Sequence, residues 1–284
     1  MNKDPQEKYS IPFKEIGTDK YLEDECEGSF LTGRLLAKFR KSPRLYHHIM
    51  NIATKDFDAI FGETTGRGRL AKAERTLIFE GRAEFDRQYL ISDGPINRTT
   101  GGWHPTTSPE WREWRAQQDR EVISSVEFDL LTRMQQAVWC HPIASKMIDE
   151  GEPNKVIAAT IDGEPCQSLF DWWREDYEGK WLAARLMVCL DVDYTSSDLL
   201  TQHIPFITGF DADVFSHATS TFTPPQFIVI CVETKAPWRC KVCQIDHGRL
   251  QFERTSCEFQ IDRLRECRRT NNWPTLTEEL EIID

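Results

Sequence analysis

The segment KWLAARLMVCLDVDYT, residues 180 to 195, predicts a central strand of a β-sheet. Its even-numbered residues from Ala184 to Tyr194 form one apolar row, whereas the odd-numbered residues from Arg185 to Thr195 contain every polar group. Because successive side chains of a strand point to opposite faces, we expect one face to be buried. The same alternation predicts that Asp191 and Asp193 point the same way, into a cleft.

These two aspartates are candidate metal ligands. Two carboxylates that lie two residues apart on one strand face can share a hard divalent cation, because oxygen ligands suit Mg²⁺ and Mn²⁺. The alternative is that the strand simply ends in solvent, where aspartates commonly precede a turn. Both interpretations fit the segment on its own.

The periodicity of the chain changes from helical to strand-like after Gly151. Before this point, capping signals and apolar spacing predict helices, most clearly the one that opens with the SSVE capping box at Ser124. After it, further strands are predicted at VIAATI, SLFDWW, FIVICVE and WRCKVCQI, with helices at about 197 to 219 and 249 to 270. A helical front followed by a mostly antiparallel sheet with two interleaved helices predicts an α+β or three-layer α/β/α fold.

We expect a single domain over residues 29–274, with a polar lead-in over residues 1–28 and an acidic tail over residues 275–284. With 39% hydrophobic and 29% charged residues, the composition is that of a soluble globular protein. The first residues contain no apolar signal region, and nowhere do eighteen apolar residues run together. These features predict a cytoplasmic protein without a membrane segment.

Charge and cysteine content narrow the class of ligand. The net charge of -11 disfavours nonspecific nucleic-acid binding by the whole surface, although a local basic channel is compatible with it.

The nine cysteines are interpreted as reduced thiols. The pair Cys240 and Cys243, followed by Cys257 and Cys267, has the residue types of a zinc or iron–sulfur site. However, residues three apart on a strand face opposite sides, and the two later cysteines fit the apolar side of a helix, so we expect neither zinc nor an iron–sulfur cluster.

Four segments carry a family resemblance. They are a Ser-led helix from Ser29 to Tyr46, LAKAERTLIFEGRAEFDRQY at 70 to 89, EWREWRAQQDREVISSVEFDLLTRMQQAVWCHPIA at 110 to 144, and FIVICVETKAPWRCKVCQI with a long helix ending in NNWP at 227 to 274. In this order they resemble the RecE-type (exonuclease VIII) branch of the PD-(D/E)xK nucleases. The resemblance implies a restriction-endonuclease-like core and a Mg²⁺-dependent exodeoxyribonuclease that acts on DNA ends.

The catalytic set implied by this resemblance is substituted. The family has a histidine on an early helix, an aspartate on one strand and D-x-K on the next, where the carboxylates hold Mg²⁺ and the lysine assists the attacking water. Arg75 matches the histidine, the first aspartate is matched within Arg185-Leu186-Met187, and D-x-K becomes Asp191-Val192-Asp193. Replacing lysine by aspartate removes a cation and adds a charge that repels phosphate. We therefore predict a weak or inactive nuclease, with Asp191, Asp193 and Arg75 at the catalytic positions and the two aspartates as candidate Mg²⁺ or Mn²⁺ ligands.

Two alternatives stay open. One is an active Mg²⁺-dependent exonuclease with a rearranged site, formed by Asp191 and Asp193 or by Asp213 with the E-x-K of Glu233 and Lys235. The latter segment matches a noncatalytic family strand and Pro237 follows it, so we predict that Lys235 is an exposed strand-end residue. The other alternative is a noncatalytic module that binds DNA ends or a protein partner, alone or as a homo-oligomer.

Basic residues around the third predicted helix are the candidate nucleic-acid contacts. Arg67, Arg69 and Lys72 surround Arg75, and Arg185 lies on the central strand. Together they could line a channel for DNA. The alternative is that they belong to solvated helix faces whose charge is balanced by neighbouring glutamates.

Overall fold

A six-stranded mixed sheet organises the chain. The computed structural model describes residues 13–14, 29–52, 66–193, 199–221 and 223–274. The strands of the sheet are, in spatial order, β1 (Phe13–Lys14), β4 (Glu152–Ile161), β5 (Glu164–Tyr177), β6 (Lys180–Cys189), β7 (Gln226–Glu233) and β8 (Cys240–Gln244). A separate parallel pair consists of β2 (Tyr89–Ile91) and β3 (Glu121–Ile123).

The connections of the sheet follow from turn chemistry and chain length. Two-residue turns with positive φ at both positions, Asp162-Gly163 and Glu178-Gly179, join β4 to β5 and β5 to β6 as antiparallel hairpins. By contrast, β7 pairs with β6 in parallel, which requires a crossover. The helix from Ile204 to Thr219 supplies it, and β8 then returns antiparallel to β7.

Nine helices are described. Their bounds are α1 (Gly33–Lys41), α2 (Pro43–Ile52), α3 (Gly66–Arg75), α4 (Arg82–Gln88), α5 (Pro109–Ala116), α6 (Ser125–Cys140), α7 (Pro142–Ile148), α8 (Ile204–Thr219) and α9 (His247–Thr270), with π-helical turns at Thr76–Glu80 and Leu199–His203. The predicted capping box is confirmed, since Ser124 and Glu127 hold each other's backbone amides at the start of α6. Ser108 and Pro109 open α5 as N-cap and first residue. No helix within these ranges is long and apolar enough to cross a membrane.

Helices cover both faces of the sheet. On one face α1, α8 and α9 pack against residues such as Phe170 and Phe227. On the other face the first π-helical turn, α6 and α7 pack against residues such as Leu186 and Ile230. The predicted three-layer α/β/α arrangement is confirmed.

The central strand differs from its predicted form. It ends at Cys189, so Asp191 and Asp193 follow the strand instead of lying on it. Its odd-numbered face is not polar, because Ala183 and Met187 are buried like the even-numbered side chains. Helices pack against both faces of the sheet, so apolar side chains are buried on both faces of this strand. The residue alternation within one strand does not predict the second helical layer.

Part of the polar lead-in joins the sheet. Strand β1 pairs antiparallel with β4, with Phe13 opposite Ile157. The rest of residues 1–28 and the acidic tail from residue 275 lie outside the described residues.

Candidate functional site

The candidate site lies where two neighbouring strands part. The β5–β6 ladder runs from the hairpin turn to the pair Trp172–Ala184, and the next residues along the two strands are Asp171 and Arg185. Beyond this pair a side chain replaces the backbone pairing. The Oδ2 atom of Asp171 accepts a hydrogen bond from the Leu186 amide at 2.9 Å. A buried carboxylate thus fills the gap between the strands.

Two arginine–aspartate pairs meet at this fork. The Nε atom of Arg75, the last residue of α3, lies 3.3 Å from Asp171 Oδ1. The Arg185 guanidinium donates a hydrogen bond to Oδ2 of Asp211, which α8 supplies from the layer above the sheet. The aspartate side chains are at most 4% exposed, whereas those of Arg75 and Arg185 are 41% and 23% exposed. The carboxylates are therefore buried and the guanidinium groups reach toward solvent.

A third carboxyl group, that of Glu74, lies buried beside these pairs. Its Oε1 atom has no hydrogen-bond partner. Burial, and after it the nearby Asp171, raises the pKa of Glu74 to about 8 against the opposing effect of Arg75. Glu74 is thus a neutral carboxylic acid at pH 7. Burial also raises the pKa of Asp211, which Arg185 opposes.

These residues do not fit a divalent metal ion. Asp171 and Asp211 are each paired with an arginine, so in this arrangement neither carboxylate is free to coordinate Mg²⁺ or Mn²⁺. Within the described part of the chain, no group of three His, Cys, Asp or Glu side chains is arranged to hold a metal. In this fork each aspartate contacts a guanidinium group. In a metal centre the same carboxylates would contact the metal ion.

The strand register places Met187 near the fork. Met187 lies two residues after Arg185 on β6 and pairs with Cys231 of β7. Met187 is a buried apolar residue and supplies neither a charge nor a proton.

Arg185, Arg40 and Lys41 lie near His203, and these side chains are called the rim of the fork. Arg40 and Lys41 end α1, and His203 precedes α8. The pKa of His203 is lowered, first by burial and then by the charges of Arg185, Lys41 and Arg40. Arg40 also lies 3.8 Å from the buried carboxylate of Glu253. Arg185 and Arg40 act on His203 although each is also paired with a buried carboxylate.

The two aspartates after β6 bind an arginine. Arg239, just before β8, donates to Asp193 and lies 2.7 Å from Asp191 Oδ1. The same guanidinium is 2.6 Å from Oε1 of the buried Glu233, which also accepts the Val192 amide. Hydrogen bonds from Arg239 hold the pKa of Glu233 well below its usual range.

Arg75 and Asp191 have different ion-pair partners. Arg75 pairs with Asp171, and Asp191 pairs with Arg239. The assignment of Asp191 and Asp193 as Mg²⁺ or Mn²⁺ ligands stays a prediction, with Arg239 holding the position between them.

The residues of the alternative, relocated centre lie apart in the structure. Asp213 is buried in α8 and pairs with Arg254 at 3.1 Å, whereas Glu233 pairs with Arg239. Lys235 is exposed in the turn after β7, as predicted, although the strand already ends at Glu233.

The remaining predicted residues have separate surroundings. The side chains of Arg67 and Arg69 lie outside the described residues, and Lys72 is half-buried on α3. Cys257 and Cys267 are buried on α9, as their helical spacing predicts.

Sequence reasoning missed Asp171, Glu74 and Arg239. Asp171 lies inside the predicted strand SLFDWW, fourteen residues before Arg185, and a lone aspartate between aromatic residues was the available signal. Glu74 precedes the residue matched to the family histidine, and no local pattern marks Arg239.

Comparisons with known proteins support the fold. No protein-family model matches the chain, and no curated protein matches it. The crystal structure of a protein described as "Putative exonuclease" from Eubacterium rectale matches with a TM-score of 0.60 and 9% sequence identity, covering 94% of this chain and 92% of that chain. The structure of SSO0001 matches with a TM-score of 0.29 and 11% identity over 52% of this chain and 61% of that chain, too low to support an argument. The chain has a nuclease-like α/β/α core.

Proposed function

We propose that this protein is a noncatalytic member of the nuclease fold, of DNA-processing ancestry, which binds the phosphates of DNA ends through arginines and without a metal. The observation that carries the proposal is the pair of contacts at the strand fork, Arg75 with Asp171 and Arg185 with Asp211.

The same contacts argue against hydrolysis. Metal-assisted cleavage needs carboxylates that are free to hold a cation and a group that can assist the attacking water. At the fork Asp171 and Asp211 are engaged by guanidinium groups, and the neighbouring Met187 is a buried apolar residue that cannot assist a water molecule. Neither requirement is met by these side chains.

The rim argues for phosphate binding. A guanidinium group presents several N–H donors in a planar fork that matches phosphate oxygens, and it keeps its charge at any physiological pH. Arg75 and Arg185 are partly exposed, and Arg40 and Lys41 act on the same histidine, His203, as Arg185 does. Because the net charge of the chain is -11, nonspecific binding of DNA by the whole surface is disfavoured.

A second candidate is an active Mg²⁺- or Mn²⁺-dependent exonuclease with a rearranged site. One observation favours it, namely that Asp191, Asp193 and Glu233 surround a single guanidinium group. If Arg239 were displaced, three carboxylates would be left for a divalent cation. The relocated centre at Asp213, Glu233 and Lys235 has no such support, because its residues contact different partners.

The test compares binding with cleavage on the same substrate. We expect the protein to bind a linear, end-phosphorylated DNA duplex in EDTA, as measured by fluorescence anisotropy, and to leave it intact during incubation with Mg²⁺ or Mn²⁺. Arg75→Ala should weaken binding about tenfold, the effect of losing one charged hydrogen bond. The matched control is Arg269→Ala, since Arg269 pairs with Glu266 on the exposed side of α9. Degradation that Asp191→Ala abolishes would instead establish the rearranged enzyme.

A further inference from the structure

A hairpin loop between β2 and α5 holds a tryptophan in solvent. Ile96 and Trp103 pair across it as an antiparallel bridge, and their exposures are 58% and 54%. Hydrogen bonds fix the loop, from the Asn97 amide to the Gly102 carbonyl at 2.7 Å and from the His104 amide to the Pro95 carbonyl at 3.0 Å. Trp103 is therefore exposed at a defined position.

The base of the hairpin is attached to α6. Asp93 accepts hydrogen bonds from the amide and the hydroxyl group of Ser125, at 2.8 Å and 2.6 Å. Further along the same helix, Gln135 donates to the carbonyl of Leu77 in the π-helical turn that follows Arg75. Ten helical residues correspond to about 15 Å, which is the separation along α6 between the hairpin base and the segment beside the arginine fork.

Trp103 differs from the other exposed aromatic residues. Trp139 donates its indole N–H to the Ile78 carbonyl, and arginine guanidinium groups lie over the rings of Phe252 and Phe259. Among the described residues, no ring or cation contacts Trp103. Its indole face is available to a ligand.

The surroundings of Trp103 favour a polyanion. The chain has 46 acidic residues among 284, yet none lies between Gly94 and Pro109. Arg98 at the hairpin tip is exposed and has no ion pair within the described part of the chain. The flanking carboxylate of Glu110 lies 3.7 Å from Nδ1 of His104, and that of Asp93 is bound to Ser125, so the charged side chain at the tip of the hairpin is Arg98.

We propose that this hairpin is a stacking platform for the unpaired bases of single-stranded nucleic acid, with Trp103 stacking on a base and Arg98 contacting the backbone phosphate. Stacking on an aromatic side chain tolerates any sequence, because every base has a π-face. The inference rests on the proposed function and extends it, since an unpaired strand that continues from a duplex end bound at the fork is the ligand expected at the hairpin.

The experiment measures affinities in EDTA by anisotropy for an unphosphorylated oligo-dT strand and for a blunt, end-phosphorylated duplex. Trp103→Ala should weaken binding of the single strand at least about fivefold and leave the blunt duplex unchanged, whereas Trp103→Phe should keep most of the affinity. Phe259→Ala serves as the control for loss of an exposed aromatic ring. A duplex with a six-nucleotide overhang should bind tighter than one with a two-nucleotide overhang, and only when Trp103 is present.

The outcomes separate the two proposals. If Trp103→Ala binds the single strand as well as the wild type does, or if the wild type does not bind it, the stacking platform is wrong and the exposed tryptophan is left as a protein-docking residue. If the single strand binds through Trp103 but the blunt duplex does not bind, the hairpin inference holds and the end-binding function fails.

Discussion

The carboxylate of Asp171 accepts the Leu186 amide at 2.9 Å, at the point where β5 and β6 stop pairing. This bond and the Arg75 ion pair make Asp171 a structural residue of the sheet. In an active metal centre, neighbouring carboxylates repel one another and removing one often stabilises the fold.

Replacing Asp171 should therefore destabilise the protein. Asp171→Ala leaves the Leu186 amide and Arg75 without their acceptor, so we expect the free energy of unfolding in urea to fall by about 2 to 4 kcal/mol. The exposed pair Asp129–Arg133 provides the control, where Asp129→Ala should cost less than about 0.5 kcal/mol. A stabilised Asp171→Ala variant would indicate a strained catalytic carboxylate and contradict the structural role.

The buried carboxyl group of Glu74 makes stability depend on pH. Its pKa is about 8 in the folded chain and about 4.5 for an unburied glutamate, so the unfolded chain loses this proton first as the pH rises. The free energy of unfolding should fall between about pH 4.5 and 8 for this reason, by on the order of 4 kcal/mol. Glu74→Gln should remove this decrease, matching the wild type near pH 4 and exceeding it at pH 8. Parallel stability profiles of the two proteins over this range would show that Glu74 is not buried as a neutral acid.

Much of the architecture could be predicted from sequence because it depends on local signals. The capping box at Ser124, the Ser108-Pro109 helix start and the change of period after Gly151 are each readable within a few residues. The site could not be predicted in the same way. Strand register brings Asp171 next to Arg185, 14 positions later in the chain. The packing of α8 brings Asp211 to Arg185 from 26 positions away. Reading Asp191 and Asp193 as the site followed from treating residues 180 to 195 as one strand with a single buried face.

Arg239 should be required for the order of the segment after β6. Arg239→Ala leaves Glu233 without its partner, and we expect a lower melting temperature, with a smaller decrease than for a fully buried pair because Arg239 is 40% exposed. Mg²⁺ or Mn²⁺ should then raise the melting temperature of this variant by binding the three freed carboxylates, but not that of the wild type. Lys235→Ala is the neighbouring control and should change neither quantity. If millimolar Mn²⁺ also raises the melting temperature of the wild type, this result would support Asp191 and Asp193 as metal ligands.

Binding at the arginine fork should depend strongly on salt. Each phosphate contact made by an arginine releases condensed counterions, so the logarithm of the affinity for blunt duplex falls linearly with the logarithm of the salt concentration. Arg75→Ala should reduce this slope by about one, whereas Trp103→Ala should leave it unchanged on blunt duplex. If Arg75→Ala has the same salt dependence as the wild type, the DNA phosphates bind elsewhere on the surface.

The measurement that tests the central claim most directly is anomalous diffraction from crystals of the wild-type protein soaked in Mn²⁺. If guanidinium groups have replaced the metal, no anomalous peak should appear between Asp171 and Asp211, and Arg75 and Arg185 should keep their contacts with these carboxylates. A manganese peak within about 2.5 Å of an Asp171 oxygen, with Arg75 or Arg185 displaced, would contradict this account and restore the fork as a metal centre.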